Sequence, residues 1–193
     1  MNNVMRMIGI LSLGVLLSFS FLKEKKVVVI DAGHGGKDFG INRDGFVEKD
    51  VVLQVAKKIK ELNRNQDLEI ILTRDDDSYP ALSERTDLVN KINPDITISL
   101  HINSSPKANS EKKGAEIFYK DNEASKVLAD KLATKFNNCP VKTEKLHMLR
   151  MSNNPSLLLE LGFANQKDER EYLASDKGQN ETAEKILSLR NEN

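Results

Sequence analysis

The chain has 193 residues, of which 39% are hydrophobic and 30% charged, and 29 Lys+Arg balance 29 Asp+Glu. That suits one domain with a short appendage, excludes wholesale disorder, and offers no broad basic surface for nucleic acid. A single cysteine, Cys139, excludes an intrachain disulfide, a Cys-rich zinc module and an iron–sulfur cluster, so any metal must draw on Asp, Glu and three histidines.

Residues 1–22 differ from the rest. Arg6 is their only charge, Met7–Leu17 reads MIGILSLGVLL, and Ser18-Phe19-Ser20 precedes the charged run Lys23–Lys26. A positive start, a short apolar core and a small-x-small triplet predict a secretory signal peptide, with an uncleaved N-terminal anchor through residues 7–22 as the alternative. No cysteine follows the apolar run, which argues against a lipoprotein. Either reading places the remaining domain, 26–193, outside the cytoplasm.

From there β-branched or apolar runs alternate with helical patterns. Val27–Asp31, Glu69–Thr73, Ile96–His101, Ala115–Tyr119 and Leu157–Leu161 read as strands. Val47–Leu62, Leu82–Ile92, Glu123–Phe136 and Glu181–Leu189 read as helices, and Asn103–Gly114 as a mobile polar loop. The alternation predicts a single α/β domain, a three-layer α/β/α sandwich around a mostly parallel sheet.

Open α/β sheets bind ligands beyond the carboxyl ends of their strands. Those ends carry Asp31-Ala32-Gly33-His34-Gly35-Gly36, Thr73-Arg74-Asp75 and His101-Ile102-Asn103, with Glu160 close to the last. His34 is either a residue of a glycine turn or a metal ligand; the run lacks the spacing of a phosphate loop. His101 closes an apolar strand, to satisfy one backbone carbonyl or to coordinate a metal beside Asn103 and Ser104. Glu48 opens a helix, where a carboxylate is favourable in any case, or else points back at His34. Glu160 interrupts LLLEL and is paired with Arg74 or Arg150, or serves as a general base. Arg85 and Asp87 read as scaffold on a polar helix face, Met148 and Leu149 as core, and His147 as structural or exposed.

In order, these segments resemble the zinc-dependent N-acetylmuramoyl-L-alanine amidases of the amidase-3 family. The match runs through VVVIDAGHGGKDFG, Gly45–Lys49, ILTRDDD, the Leu82…Arg85…Asn90 helix, ITISLHINSS, Gly114–Tyr119 and LRMSNNPSLLLELGFANQKDE, which is nearly all of the chain from Lys26 to Leu189. The resemblance implies one zinc held by His34, Glu48 and His101, with Glu160 as the catalytic carboxylate that is not a ligand. It implies hydrolysis of the amide between N-acetylmuramic acid and the L-alanine of the stem peptide of peptidoglycan. Asn103 would meet the substrate and Arg150 a stem-peptide carboxylate. The enzyme would be an exported monomer of the periplasm or cell envelope, or secreted. Ala32 stands where the family often has proline. About forty residues separate Tyr119 from Glu160, too few for the blocking helix that some division-associated relatives carry there.

Overall fold

The computed structural model describes residues 25–107 and 110–190. The predicted signal or anchor segment, 1–22, lies outside the described residues. Among the described residues, no helix is long and apolar enough to cross a membrane.

In chain order the elements are β1 (Lys26–Ala32), β2 (Asn42–Arg43), β3 (Phe46–Val47), α1 (Glu48–Leu62), β4 (Leu68–Leu72), α2 (Leu82–Ile92), β5 (Ile96–Asn103), β6 (Glu116–Tyr119), α3 (Glu123–Lys135), β7 (Val141–Thr143), α4 (His147–Met151), β8 (Ser156–Phe163), α5 (Lys167–Ala174) and α6 (Asp176–Leu187). All five predicted strands and all four predicted helices are present, with shifted ends. The main sheet has the order β4-β1-β5-β8-β6-β7. The β1–β4, β1–β5, β5–β8 and β6–β7 pairs are parallel, and only β6–β8 is antiparallel. The predicted three-layer, mostly parallel sandwich is therefore the observed one.

Alternation along the strands divides the interior. Val28, Ile30, Ile98, Leu100, Leu157 and Leu159 face one layer, where they meet Val52, Val55 and Ile59 of α1, Leu132 of α3 and Ile186 of α6. Val29 faces the other, thinner layer and packs with Val89 of α2 and Met148 of α4. On that thinner side the strand residues turn polar towards their carboxyl ends. Asp31 is in register with Ser99, His101 with Glu160, and Glu160 with Glu116. A register shift follows between His101 and Asn103, where three residues of β8 span two of β5. Bulges of this kind re-aim side chains beside functional sites.

The loop after β5 is more tethered than its polar composition predicts. Asn165 accepts the Ser105 amide proton at 2.6 Å and donates to the Ser105 carbonyl at 3.1 Å, while Gln166 donates to the Ser110 carbonyl.

Leu159 is fully buried on the thick side of β8, beside Glu160 in sequence. Leu159→Ala should cost about 2–5 kcal/mol in urea unfolding, because the surrounding helices collapse only partly into the space left.

Candidate metal centre

The loop after β1 is forced into a shape that few sequences tolerate. His34 adopts φ 60°, followed by Gly35 at φ 129°. A Cβ on Gly35 would lie 2.1 Å from the Ser78 carbonyl oxygen, and one on Gly33 2.4 Å from Cε1 of His101. Glycine at these two places lets one loop pass between the β4–α2 connection and the His101 ring.

Two arginines hold that loop. Arg74 donates from Nε to the Ala32 carbonyl at 2.9 Å, and from Nη2 to the carbonyls of Gly33 at 2.8 Å and Lys49 at 2.9 Å. Arg85 donates to the carbonyls of Ala32 at 2.7 Å and His34 at 2.5 Å, and to Asp31 Oδ1 at 2.9 Å. Asp31 also accepts from Thr73 at 2.7 Å and Ser99 at 2.6 Å. Arg85 thus differs from the polar-face reading: it is 2% exposed and turned inward, whereas Asp87 is exposed as expected. Burial alone would raise the Asp31 carboxyl, but the Arg85 charge and the hydrogen bonds from Ser99, Thr73 and Arg85 hold it below its usual value.

The held loop brings His34 to Glu48 and His101. His34 Nε2 lies 2.9 Å from Glu48 Oε1, and His101 Nδ1 lies 3.2 Å from both atoms. The two rings meet edge to face with centroids 4.9 Å apart. Glu48, 3% exposed at the start of α1, also accepts the amide protons of Ile102 at 3.0 Å and Ile41 at 2.9 Å. Its carboxylate therefore does more than favour a helix terminus. Burial opposes its charge, but hydrogen bonds from His101 and His34 pull its pKa down to about 2. Burial likewise opposes charge on His34, yet Glu48 and then Asp38 raise it to about 9. One ligand atom from each of His34, Glu48 and His101 lies within 4.8 Å of the others. Two imidazoles and a carboxylate converging on one point form a donor set that fits a divalent metal.

Glu160 sits beside this cluster, in register with His101. It pairs with neither arginine weighed from the sequence: Arg74 is committed to the loop, and Oε2 of Glu160 is buried with no hydrogen-bond partner. Burial pushes its carboxyl up to about 7. Asn103 closes β5 nearby and donates to Glu116 Oε2 at 2.8 Å.

Arg150 is not brought to this place. It is exposed on α4, which is tied to the end of α2 by the Asn90 hydrogen bond to the Met151 carbonyl at 3.0 Å. That is where β5 and β8 begin, whereas the cluster stands where they end. Met148 and Leu149 are core, as read, and Nε2 of the half-buried His147 is enclosed without a partner. Cys139 lines a separate cavity of about 460 Å³ with Phe136 and Tyr172, and burial pushes its thiol up to about 11, an inert environment.

Sequence reasoning passed over Asp38, whose Oδ2 lies 2.9 Å from His34 Nδ1. A carboxylate behind a ligand imidazole fixes the ring and its tautomer. Its signal was its position four residues after His34 in a glycine-rich turn. Glu116 was also missed, because only the β6–β8 pairing shows that it faces Glu160.

Residues 28–189 match the amidase-3 family model, described as N-acetylmuramoyl-L-alanine amidase. The chain belongs to this family, whose members are metal-dependent amidases. It is 36% identical over 173 residues to an endolysin of Bacillus phage SPP1, covering 82% of this chain but only 62% of that protein. Its fold matches the crystal structure of N-acetylmuramoyl-L-alanine amidase from Clostridium difficile 630 with a TM-score of 0.81 and 30% identity, over 86% of this chain and 95% of the other. The catalytic domain of the amidase CwlV from Bacillus (Paenibacillus) polymyxa var. colistinus matches with a TM-score of 0.78 and 33% identity, over 85% and 95% of the two chains.

Asp31→Asn should leave Arg85 buried without its counter-charge and cost about 3–5 kcal/mol in urea unfolding at neutral pH. The pH dependence checks the cause. Asp31 titrates below its usual 3.8 in the folded chain, so its contribution is complete above that value and lost as the pH falls through the lower, folded one. Below pH 3.8 the parent should therefore lose stability more steeply than the Asn variant.

Proposed function

We propose that this chain is a zinc-dependent peptidoglycan amidase that hydrolyses the amide between the lactyl group of N-acetylmuramic acid and the L-alanine of the stem peptide. The observation that carries this reading is the convergence of His34, Glu48 and His101 beside a buried, unpartnered Glu160. Family membership supports the substrate class.

His34 through Nε2, His101 through Nδ1 and Glu48 through Oε1 are the residues that would hold zinc, and a His₂Glu set leaves a position open for catalysis. Bound zinc would supply Lewis-acid polarisation of the scissile carbonyl and would acidify water. The protein's own task is proton transfer. Glu160 accepts a proton from the attacking water and delivers it to the departing alanine nitrogen, which is otherwise a very poor leaving group. Lack of a hydrogen-bond partner at Oε2 leaves Glu160 free to do both. Asp38 keeps the His34 ring oriented, and the Asn103 side chain, steadied by Glu116, borders the substrate. The enzyme acts outside the cytoplasm as a monomer, with residues 1–22 serving for export or anchoring.

Glu160→Gln should retain the metal at parental stoichiometry and lose about 10²- to 10⁴-fold in turnover of muropeptides. His34→Ala and His101→Ala should lose metal and activity together, with a fall in thermal stability that added zinc no longer reverses. Mass analysis of the products decides the bond: free lactyl-bearing sugar supports the amidase, and shortened stem peptides overturn it.

A further inference from the structure

The two sides of the cluster differ in chemistry. β5, which carries His101, lies between β1 and β8. On the β8 side two carboxylates meet: Glu160 faces Glu116, and Glu116 takes hydrogen bonds from Asn103 at 2.8 Å and Lys142 at 3.1 Å. On the β1 side a cavity of about 260 Å³ opens against the cluster. Asp31, Asp38 and Arg85 line it together with Gly33, His34 and His101, and Tyr79, Pro80 and Leu82 form its apolar wall; Glu160 does not reach it. Tyr79 is 45% and Leu82 54% exposed, large apolar side chains left uncovered beside the candidate centre. The Lys37 ammonium stands 5.8 Å from the Tyr79 ring centroid.

This apolar wall is fixed to the metal-site loop. Asp77, two residues before Tyr79, accepts the Gly36 amide proton and a Lys49 ammonium proton, at 2.9 and 2.8 Å. Gly35 packs against the Ser78 carbonyl so closely that no side chain would fit between them. Glu84 caps the Ala81 amide at 2.6 Å and so fixes the entry to α2. Tyr79 is thus held at a set place relative to His34, which is what a positioning surface requires.

The direction of the substrate follows, given the amidase reading above, on which this inference rests. A residue that protonates the leaving nitrogen must lie within hydrogen-bond reach of it. Glu160 is on the β8 side, so the alanine and the stem peptide extend over β8 and β6. The acyl half of the same amide must leave in the opposite direction, over β1 towards the start of α2. We propose that Tyr79, with Leu82 and Pro80, forms the subsite for that acyl half, the lactyl group and the N-acetylated sugar ring. A pyranose ring offers a flat face of C–H groups that suits an aromatic side chain, and the lactyl and acetyl methyls suit Leu82 and Pro80. The subsite makes the enzyme selective for an amide whose acyl side carries a sugar.

The test pairs two substrates with two variants. Substrates are a disaccharide-linked muropeptide and a sugar-free D-lactyl stem peptide. Tyr79→Ala should raise KM for the muropeptide about tenfold with kcat nearly unchanged, as expected for losing one apolar contact made equally in ground and transition states. Removing both the sugar and the ring should cost no more than removing either alone, the mark of two groups that touch each other. Tyr79→Phe should restore the parental KM. Additive losses, or equal damage by Tyr79→Ala to both substrates, would overturn the subsite. Binding without turnover gives an independent readout. In saturation-transfer NMR with the full-length Glu160→Gln protein, the ring and acetyl protons of N-acetylmuramic acid should be saturated, and much less so when Tyr79→Ala is added. Undiminished saturation would overturn the subsite even where the parent releases free lactyl sugar. Release of shortened stems by the parent would instead overturn the amidase reading and, with it, the direction assigned here.

Discussion

A carboxylate sealed inside a protein is tolerated only when a positive charge and several donors replace the water it has lost. Asp31 is 1% exposed, and Arg85, Thr73 and Ser99 supply those replacements. The arrangement does more than settle one charge. Once Arg85 is drawn inward, its remaining donors need acceptors, and with those of Arg74 they take the carbonyls of Ala32, Gly33, His34 and Lys49. Ala32 ends β1, Gly33 and His34 begin the loop that follows it, and Lys49 lies in the first turn of the helix that carries Glu48. One buried network therefore sets the positions of two of the three converging donors. The third, His101, comes from the neighbouring strand and is pressed against Gly33. The left-handed backbone at His34 is costly for a residue with a Cβ, and these carbonyl contacts are what sustain it.

The sheet contributes the rest through direction. Four strands run one way and place their carboxyl ends together, the usual location of a site in such folds. β6 then pairs with β8 in the opposite sense, which sets Glu116 across from Glu160 in the middle of β8. A fully parallel sheet would have set a different register there. The extra residue in β8 just past Glu160 lets the chain leave the ladder towards α5 while Glu160 keeps its alignment with His101.

Much of this was legible in the residues, for a physical reason. Polar side chains in or at the ends of apolar runs are costly to explain by packing, and His101 and Glu160 stood out on that ground. The ligand assignment itself came with the family resemblance. What stayed hidden depended on contacts distant in sequence. Arg85 carries the periodicity of an ordinary amphipathic helix, and nothing in Leu82–Ile92 says that a guanidinium on it points at Asp31 54 residues away. Arg150 lies only ten positions before Glu160, yet β8 carries the chain roughly 13 Å along the sheet from Ser156 to Glu160, so the two part company. α5 escaped because only Leu173 of its eight residues is buried. α6 starts earlier than its apolar pattern because Ser175 caps it, accepting the Gly178 amide proton at 3.0 Å.

The electrostatics of the cluster favour a cation among these three residues over a hydrogen-bonded trio alone. Glu48 is buried, held ionised by its neighbours, and faces two imidazoles. With only protons available, His34 must carry one well above its normal range to balance that charge. Asp38 accepts from the far nitrogen of His34, so Nε2, the atom turned to Glu48, is the one offered inward. A proton there and a divalent cation are alternative ways of balancing the same carboxylate, and the cation also satisfies His101. Ligands that must shed protons to bind couple metal uptake to proton release. Glu160 stays outside this balance. Its buried Oε2 has no hydrogen-bond partner, and the proposed roles, Glu160 as proton carrier and Glu48 as ligand, fall on separate carboxylates, the division of labour a metal-assisted hydrolysis needs.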